Sequence, residues 1–570
     1  MIWWWLDQRR AKAEKAAFAA LQEEFDWVAG VRTRHLVDLQ LCVDVDIVHA
    51  GETFKLAVIY PVTFPDTPPI VMPYGEKRLS SHQYGPGGEL CLQWRADNWD
   101  PAVTGAMMVE SAYGLIAGER PADGQPGMVP SEHRSTLAGE LRFESRRLMV
   151  PEGAWASLRG QLPEAVLQVA LTMTVRRTQR VAHLTAIGGP GAEIWKTPRP
   201  APDAPDRRLG YILRTAQDMD ALALHHGGLF EDLTARVPEL ASLLGGPEWP
   251  FIILLEQNGR RTAFDLFRKD GRPFLIHYRI VEEEELAKRS ASDREAVSGK
   301  RVTIVGCGSI GSKIAASLAR AGVRKFLLVD EDIFLTGNLV RNELDAWAIG
   351  WHKVDALADR IGQLATDTDV VPHRVELGSQ TSSLLIESVL EAIGEADLII
   401  DATAAPTAFN LCGGAARRHV KPMIWAEVFG GGIGGLVARA RPDVDPPPTE
   451  ARRQIAVWCD GRATPWEFRS GNEYEAVGND EAPFVADDAD ISVIAAHATR
   501  FALDILQGGE TVFPQSAYAI GLKKAWIFRA PFDTWPIDLE PIGAWQHPDS
   551  KPDAGDIGRL MADMIDEDPS

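Results

Sequence analysis

Between residues 301 and 311 the chain runs from a short strand-forming stretch straight into a glycine turn: Arg301-Val302-Thr303-Ile304-Val305, then Gly306-Cys307-Gly308-Ser309-Ile310-Gly311. The β-branched run fits a strand buried on both faces, and the small and apolar residues that follow fit a helix. Glycines let the backbone turn tightly and approach a phosphate, while the helix N-terminus offers that phosphate free N–H groups. A second strand, Phe326-Leu327-Leu328-Val329, ends at Asp330, where a carboxylate can reach a ribose hydroxyl. These residues predict a Rossmann-like α/β domain that binds a nucleotide through Gly306, Gly308, Gly311 and Asp330. Alone, they suit a dinucleotide oxidoreductase.

The residues that follow change that reading. The string LLVDEDIFLTGNLVRNEL, and Gly350-Trp351-His352-Lys353 after it, resemble the adenylating-enzyme family that includes ThiF, MoeB and the ubiquitin-activating enzymes. That family shows an Asp-x-Asp, an Asn-Leu-x-Arg-Gln and a Gly-x-x-Lys, which fall here on Asp330, Asp332, Asn338, Arg341 and Lys353. The resemblance, over about residues 295–530, implies ATP and Mg2+ as cofactors. It also implies a reaction in which a substrate carboxylate attacks the α-phosphate and pyrophosphate leaves. Both species are anionic, so cations such as Arg341 and Lys353 are needed to stabilise the developing charge. Two positions depart from the family. Asn342 replaces the Gln, and Asp401-Ala402-Thr403-Ala404-Ala405 replaces its Thr-Asp-Asn segment. The family's magnesium-binding Asp aligns with Ala404, which leaves Asp401 as the candidate metal ligand.

Five cysteines, none spaced as CxxC, make neither a disulfide framework nor an obvious zinc site. Cys307 lies inside the glycine turn and Cys412 in the apolar part of a predicted helix, so both read as packing residues. Cys459 follows the Gly430–Gly435 region and a proline-rich loop. The activating family places its thioester cysteine beyond this point on a mobile crossover, which makes Cys459 the candidate nucleophile. Arg452, Arg453 or Arg462 would then have to lower its pKa.

A second resemblance lies at the other end. Residues 8–25 read as a surface helix, Leu41, Val43, Val45 and Ile47 alternate as in a half-buried strand, and Phe54–Tyr60 is a further strand. The proline-dense YPVTFPDTPPIVMP cannot be helical, and Met107–Ile116 reads as a helix after Trp99-Asp100-Pro101-Ala102. Tyr60, Pro61, Phe64, Pro65, Pro68 and Pro69, then His82, then Gly88-Glu89-Leu90-Cys91-Leu92, resemble ubiquitin-conjugating enzymes over about residues 10–120. That resemblance implies a β-meander, a proline-braced flap and an active-site loop with Cys91 as transthiolation acceptor. The family's His-Pro-Asn is not reproduced, because Gln83 and Tyr84 follow His82. His82, Tyr84 or a backbone N–H is left to support the oxyanion, or His82 simply braces the loop. Cys42 faces away from the apolar residues of its strand and has no role.

The expected fold is therefore α/β multidomain: a conjugating-like α+β domain at 1–130, a mixed α+β linker domain at 131–290, a ThiF-type adenylation domain at 291–540 and an acidic tail at 541–570. Such a fusion resembles enzymes of bacterial antiphage (CBASS) and ubiquitin-like operons. It implies adenylation of the C-terminus of a ubiquitin-like protein or of a cyclic-oligonucleotide synthase (CD-NTase). The acyl group would pass through Cys459 and Cys91 to an amine of a target protein, within a homodimer. A sulfur-carrier type of adenylyltransferase and a non-catalytic nucleotide-binding scaffold stay open. A formal charge of −21 opposes nucleic-acid binding. No apolar run approaches the ~20 residues that span a bilayer, and the protein is expected to be cytoplasmic.

Overall fold

In the computed structural model of the protein, the chain separates into two units, Met1–Glu144 and Ser145–Ser570. The described residues exclude 1, 75–78, 81, 85–87, 121–140, 142–143, 152, 159–165, 198–205, 216–249, 257–258, 270–271, 283–292, 366, 379–382, 463–485 and most of 546–570. Most of the acidic tail expected at 541–570 thus falls outside them. No described helix is long and apolar enough to cross a membrane.

The first unit opens with α1 (Trp3–Leu6) and α2 (Gln8–Glu24). Four antiparallel strands follow in sequence order as a meander, β1 (Val28–His35), β2 (Leu41–His49), β3 (Glu52–Ile59) and β4 (Ile70–Pro73). The β5 (Gln83–Tyr84) and β6 (Glu89–Leu90) hairpin and α3 (Gly105–Glu119) complete it. Val43, Val45 and Ile47 of β2 point into one core with Phe18, Leu21 and Ile116, the division of faces that their alternation predicts. Cys42, on the opposite face, is nevertheless fully buried and donates its S–H to Asp44 at 3.6 Å. Helices and flap are tied together by polar bonds, two of them buried. Glu14 accepts the Gly105 N–H at 2.8 Å and the Tyr60 hydroxyl, and the Trp99 indole N–H donates to the Pro65 carbonyl at 2.7 Å. Gly105 is required there, since a Cβ would sit 2.0 Å from the Tyr60 oxygen.

The second unit begins with β7 (Arg146–Val150), β8 (Leu167–Arg176), β9 (Gln179–Ile187), β10 (Trp195–Lys196), β11 (Asp206–Thr215), β12 (Phe251–Glu256), β13 (Arg261–Lys269) and β14 (Arg272–Glu282). They pair in the order β10-β9-β7-β14-β13-β12-β11-β8, and β8 pairs again with β9. The strands β9 to β8 therefore close on themselves as a barrel filled by residues such as Leu148, Val169, Leu184, Phe251 and Tyr278. Closure removes the exposed strand edges that an open sheet of this size would carry.

After α4 (Arg294–Ser298) comes the mixed sheet that holds the glycine turn. Its strands are β15 (Arg301–Val305), β16 (Lys325–Val329), β17 (Asp369–His373), β18 (Leu398–Asp401), β19 (Met423–Val428), β20 (Gly434–Ala440), β21 (Ala517–Gly521) and β22 (Thr534–Ile537). The order β17-β16-β15-β18-β19-β20-β21-β22 is parallel as far as β19 and antiparallel beyond. The connecting helices are α5 (Ser309–Ala321), α6 (Lys353–Leu364), α7 (Ser383–Gly394), α8 (Pro406–His419), α9 (Pro448–Asp460) and α10 (Asp488–Gln507). The chain leaves β15 toward β16 on one side and returns to β18 on the other. That makes the carboxyl ends of β15 and β18 the switch point where open α/β sheets bind ligands.

Candidate adenylation site

At the switch point the glycines are required by geometry. Gly306 has φ +86°, and a Cβ on it would meet the Thr403 methyl at 2.9 Å and the Ala402 carbonyl oxygen at 3.0 Å. A Cβ on Gly311 would lie 1.8 Å from the Gly306 carbonyl oxygen. Gly308, the N-cap of α5, faces open space, so its backbone can be approached from outside. The turn suits the phosphates of ATP: it offers exposed backbone at the start of a helix whose dipole favours negative charge.

Asp330 directly follows β16, with both carboxylate oxygens engaged by the protein. Oδ2 accepts the Cys307 N–H at 2.7 Å and Oδ1 accepts the Asp332 N–H at 2.9 Å. Burial pushes its pKa up, while Lys353 pulls it down. Besides any ribose contact, Asp330 thus holds the glycine turn in shape. Lys353 is the first residue of α6, a position where a cation opposes the helix dipole. It is only 8% exposed, and its Nζ lies 2.5 Å from Asp332 Oδ2. The Asn338 side-chain oxygen accepts the Leu335 N–H at 2.8 Å and closes the short 3-10 turn Thr336–Val340, at whose end Arg341 sits. Asn342, where the family has Gln, donates its amide to the Cys307 carbonyl at 3.2 Å. Sequence reading gave Asn342 no such role, because a bond across 35 residues leaves no local signature.

Asp401 ends β18 at 3% exposure, and burial raises its pKa. Its Oδ1 accepts from the Thr403 N–H at 3.0 Å and the Thr403 hydroxyl at 2.6 Å, so the carboxylate builds the turn that carries Ala404 at φ +57°. Among the described residues no group of three His, Cys, Asp or Glu could hold a metal ion. A magnesium ion that accompanies a nucleotide takes one or two carboxylates together with the phosphates themselves, so Asp401, at the end of β18, is the residue that would hold it. Sequence reading also missed Glu427 and the true setting of Arg452. Burial raises the pKa of Glu427, and the Arg452 cation pulls those of Glu427 and Asp401 down. Arg452 stands 3.6 Å from Glu427 and over the Phe409 ring at 4.5 Å.

Cys459 lies on the last turn of α9, half-buried and packed against the apolar layer with Trp458 and Trp526. Burial first, then Asp460 and Glu427, push its thiol up to about 11. Of the three arginines named as alternatives for lowering it, one faces the thiol. Arg462 alone pulls the thiol down, Arg453 is held by Glu450 at 2.6 Å, and Arg452 is turned to Glu427 and Phe409. Cys307 and Cys412 are fully buried, with thiols raised well above the ordinary range, as packing residues should be.

In the first unit, Cys91 directly follows β6 and is buried, and its N–H donates to the His82 carbonyl at 2.8 Å. The hairpin thus brings the two together through their backbones. Gln83, where the conjugating family has Pro, braces the same loop: its side-chain oxygen accepts from Leu79 and Ser80, and its nitrogen donates to the Gly88 carbonyl at 2.8 Å.

Residues 282–448, which contain the glycine turn, Asp330, Arg341, Lys353 and Asp401, match the ThiF family. The chain carries a ThiF-family domain. Over 533 residues the chain is 24% identical to the uncharacterized protein y4qC of Sinorhizobium fredii, covering 88% of this chain and 89% of that one. It is 28% identical over 162 residues to the ATP-dependent ubiquitin transferase-like protein Cap2 of Pseudomonas aeruginosa, 28% of each chain. It is also 32% identical over 130 residues to the adenylyltransferase and sulfurtransferase uba4 of Aspergillus terreus, 23% of this chain and 25% of that one. Against Cap2 and uba4, then, the chain spans less than a third of each relative's length.

Proposed function

We propose that the ThiF-family domain uses ATP to adenylate the C-terminal carboxylate of a protein substrate, and that the acyl group then passes through Cys459 to Cys91 of the first unit. The observation that carries this reading is the placement of the buried Lys353 ammonium beside Asp332, on the elements that frame the glycine turn. A substrate carboxylate oxygen attacks the α-phosphorus, the bond to pyrophosphate breaks, and Lys353 with Arg341 steadies the charge that builds on the phosphates. A thiolate then attacks the acyl carbon and AMP leaves, which gives a thioester open to an amine. Carrying both steps on one chain raises the effective concentration of the second thiol. A ubiquitin-like protein or a CD-NTase C-terminus is the substrate class, the final acceptor is a target-protein amine, the working form is a homodimer, and antiphage defence is the setting. The likenesses to Cap2 and uba4 support the adenylation half.

A second reading has its own support. The raised thiol of Cys459 leaves about one part in ten thousand as thiolate at pH 7, which favours an adenylyltransferase that does not use Cys459 as a relay. One experiment separates the two. The protein is incubated with ATP and candidate ubiquitin-like or CD-NTase-type proteins, and wild type, Cys91→Ala and Cys459→Ala are run on non-reducing gels alongside an ATP–pyrophosphate exchange assay. The relay gives two reducible adducts, with only the Cys459 adduct surviving loss of Cys91. Exchange without any adduct removes the thioester steps, and ATP binding without exchange leaves a scaffold.

A further inference from the structure

One mouth of the barrel carries charge that neither packing nor adenylation uses. Side chains alternate along a strand, so Arg146 points the same way as Leu148, Arg180 as Ala182, and Asp265 as Ala263, and those three apolar partners lie in the barrel core. The pairings Arg146↔Arg180 and Arg147↔Arg279 set the ends of β7 and β9 level with Tyr278 of β14. From β11, Arg208 reaches Asp265 at 2.6 Å. Tyr278 is fully buried, and its hydroxyl has no hydrogen-bond partner. Its pKa is pushed up to about 12 by burial and then by Asp265, while Arg180, Arg146 and Arg208 pull it down, so these charges surround the phenol. Asp265 answers one of the three guanidiniums. Among the described residues no carboxylate pairs with Arg146 or Arg180.

A buried O–H with no acceptor is an unfavourable arrangement that native structures rarely keep without a reason. Two unanswered guanidiniums beside it match a doubly charged oxyanion in both charge and donor geometry. We propose that this mouth binds an anion of the phosphate class, with the Tyr278 hydroxyl donating to it and Arg146 and Arg180 supplying the charge. The site lies outside the ThiF-family domain and does not depend on the adenylation reading.

Isothermal titration of the full chain with inorganic phosphate, and in parallel with acetate, tests this. Saturable phosphate binding is expected. It should weaken about tenfold or more in the Arg146→Gln/Arg180→Gln double variant, weaken several-fold in Tyr278→Phe, persist in Lys353→Ala, and exceed the binding of acetate. Both arginines are exposed, so the double variant keeps its fold, and Tyr278→Phe removes a single oxygen. The proposal fails if wild type shows no saturable phosphate binding, or if the double variant binds as wild type does. It fails equally if binding disappears in Lys353→Ala alone, which would move the phosphate to the nucleotide site, or if acetate binds as well as phosphate. Unchanged affinity in Tyr278→Phe overturns the phenol's part and leaves ordered water as its partner.

Discussion

Lys353 and Asp332 are joined twice: the Lys353 N–H donates to the Asp332 carbonyl at 2.9 Å, and the ammonium lies 2.5 Å from the Asp332 carboxylate. The backbone bond fixes where α6 starts, and the ion pair fixes where the cation points. If that cation stabilises the adenylation transition state, Lys353→Ala should lower ATP–pyrophosphate exchange by about 100-fold or more. Asp332→Asn, which frees the ammonium without removing it, should cost about tenfold. Exchange within twofold of wild type in Lys353→Ala, at saturating substrate, would refute the role.

The contact between Gly311 and Gly306 leads to a stability prediction. With a Cβ only 1.8 Å from a carbonyl oxygen, Gly311→Ala forces the α5 turn away from β15. Overpacking typically costs about 1–3 kcal/mol, and a clash against backbone belongs at the upper end of that range. Gly308→Ala meets nothing within 4 Å and should unfold at nearly the wild-type urea concentration. If the two variants showed equal midpoints, the close approach would not be real.

How much of this was visible in the sequence depends on how local each constraint is. The glycine turn was legible because sterics within six residues demand it, and β15, α5 and β16 stand where the pattern put them. Likewise the alternation of Leu41, Val43, Val45 and Ile47 marks β2. The barrel was not legible: residues 131–290 read only as a mixed α+β linker domain, because closure rests on the β7–β14 and β11–β8 pairings between distant segments. The setting of Cys459 was hidden for the same reason. Arg452 and Arg453 are close in sequence, but the helix turns them toward Glu427 and Glu450.

Arg439 is fully buried on β20, with Nη1 2.6 Å from Asp504 and Nη2 3.0 Å from the Thr511 hydroxyl, and its guanidinium over Phe501. It ties β20 to α10 and to the segment before β21. Arg439→Leu would leave Asp504 without its counter-charge and should cost about 3–5 kcal/mol, whereas the Arg439→Leu/Asp504→Leu double variant should recover part of that loss. Denaturant midpoints of the four proteins in the cycle decide it. A double variant as unstable as the sum of the singles would mean that the pair is not coupled.

Cys459 gives a pH prediction with a definite sign. A thiolate, not a thiol, reacts with iodoacetamide. With the thiol raised to about 11, labelling of Cys459 in the folded protein should climb roughly tenfold per pH unit from 7 to 10. The unfolded chain, with an ordinary thiol, should instead level off above about pH 8.5. Because the folded state keeps its proton longer, the thiol's contribution to stability is complete below that unfolded value and is lost as pH rises toward 11. Arg462 is the one cation that pulls the pKa down, so Arg462→Gln should slow labelling at pH 9 several-fold. Mass spectrometry of the Cys459 peptide after timed labelling reads each of these rates. A rate already flat between pH 7 and 8 would show an activated thiolate at Cys459, as a first acceptor of the acyl group needs.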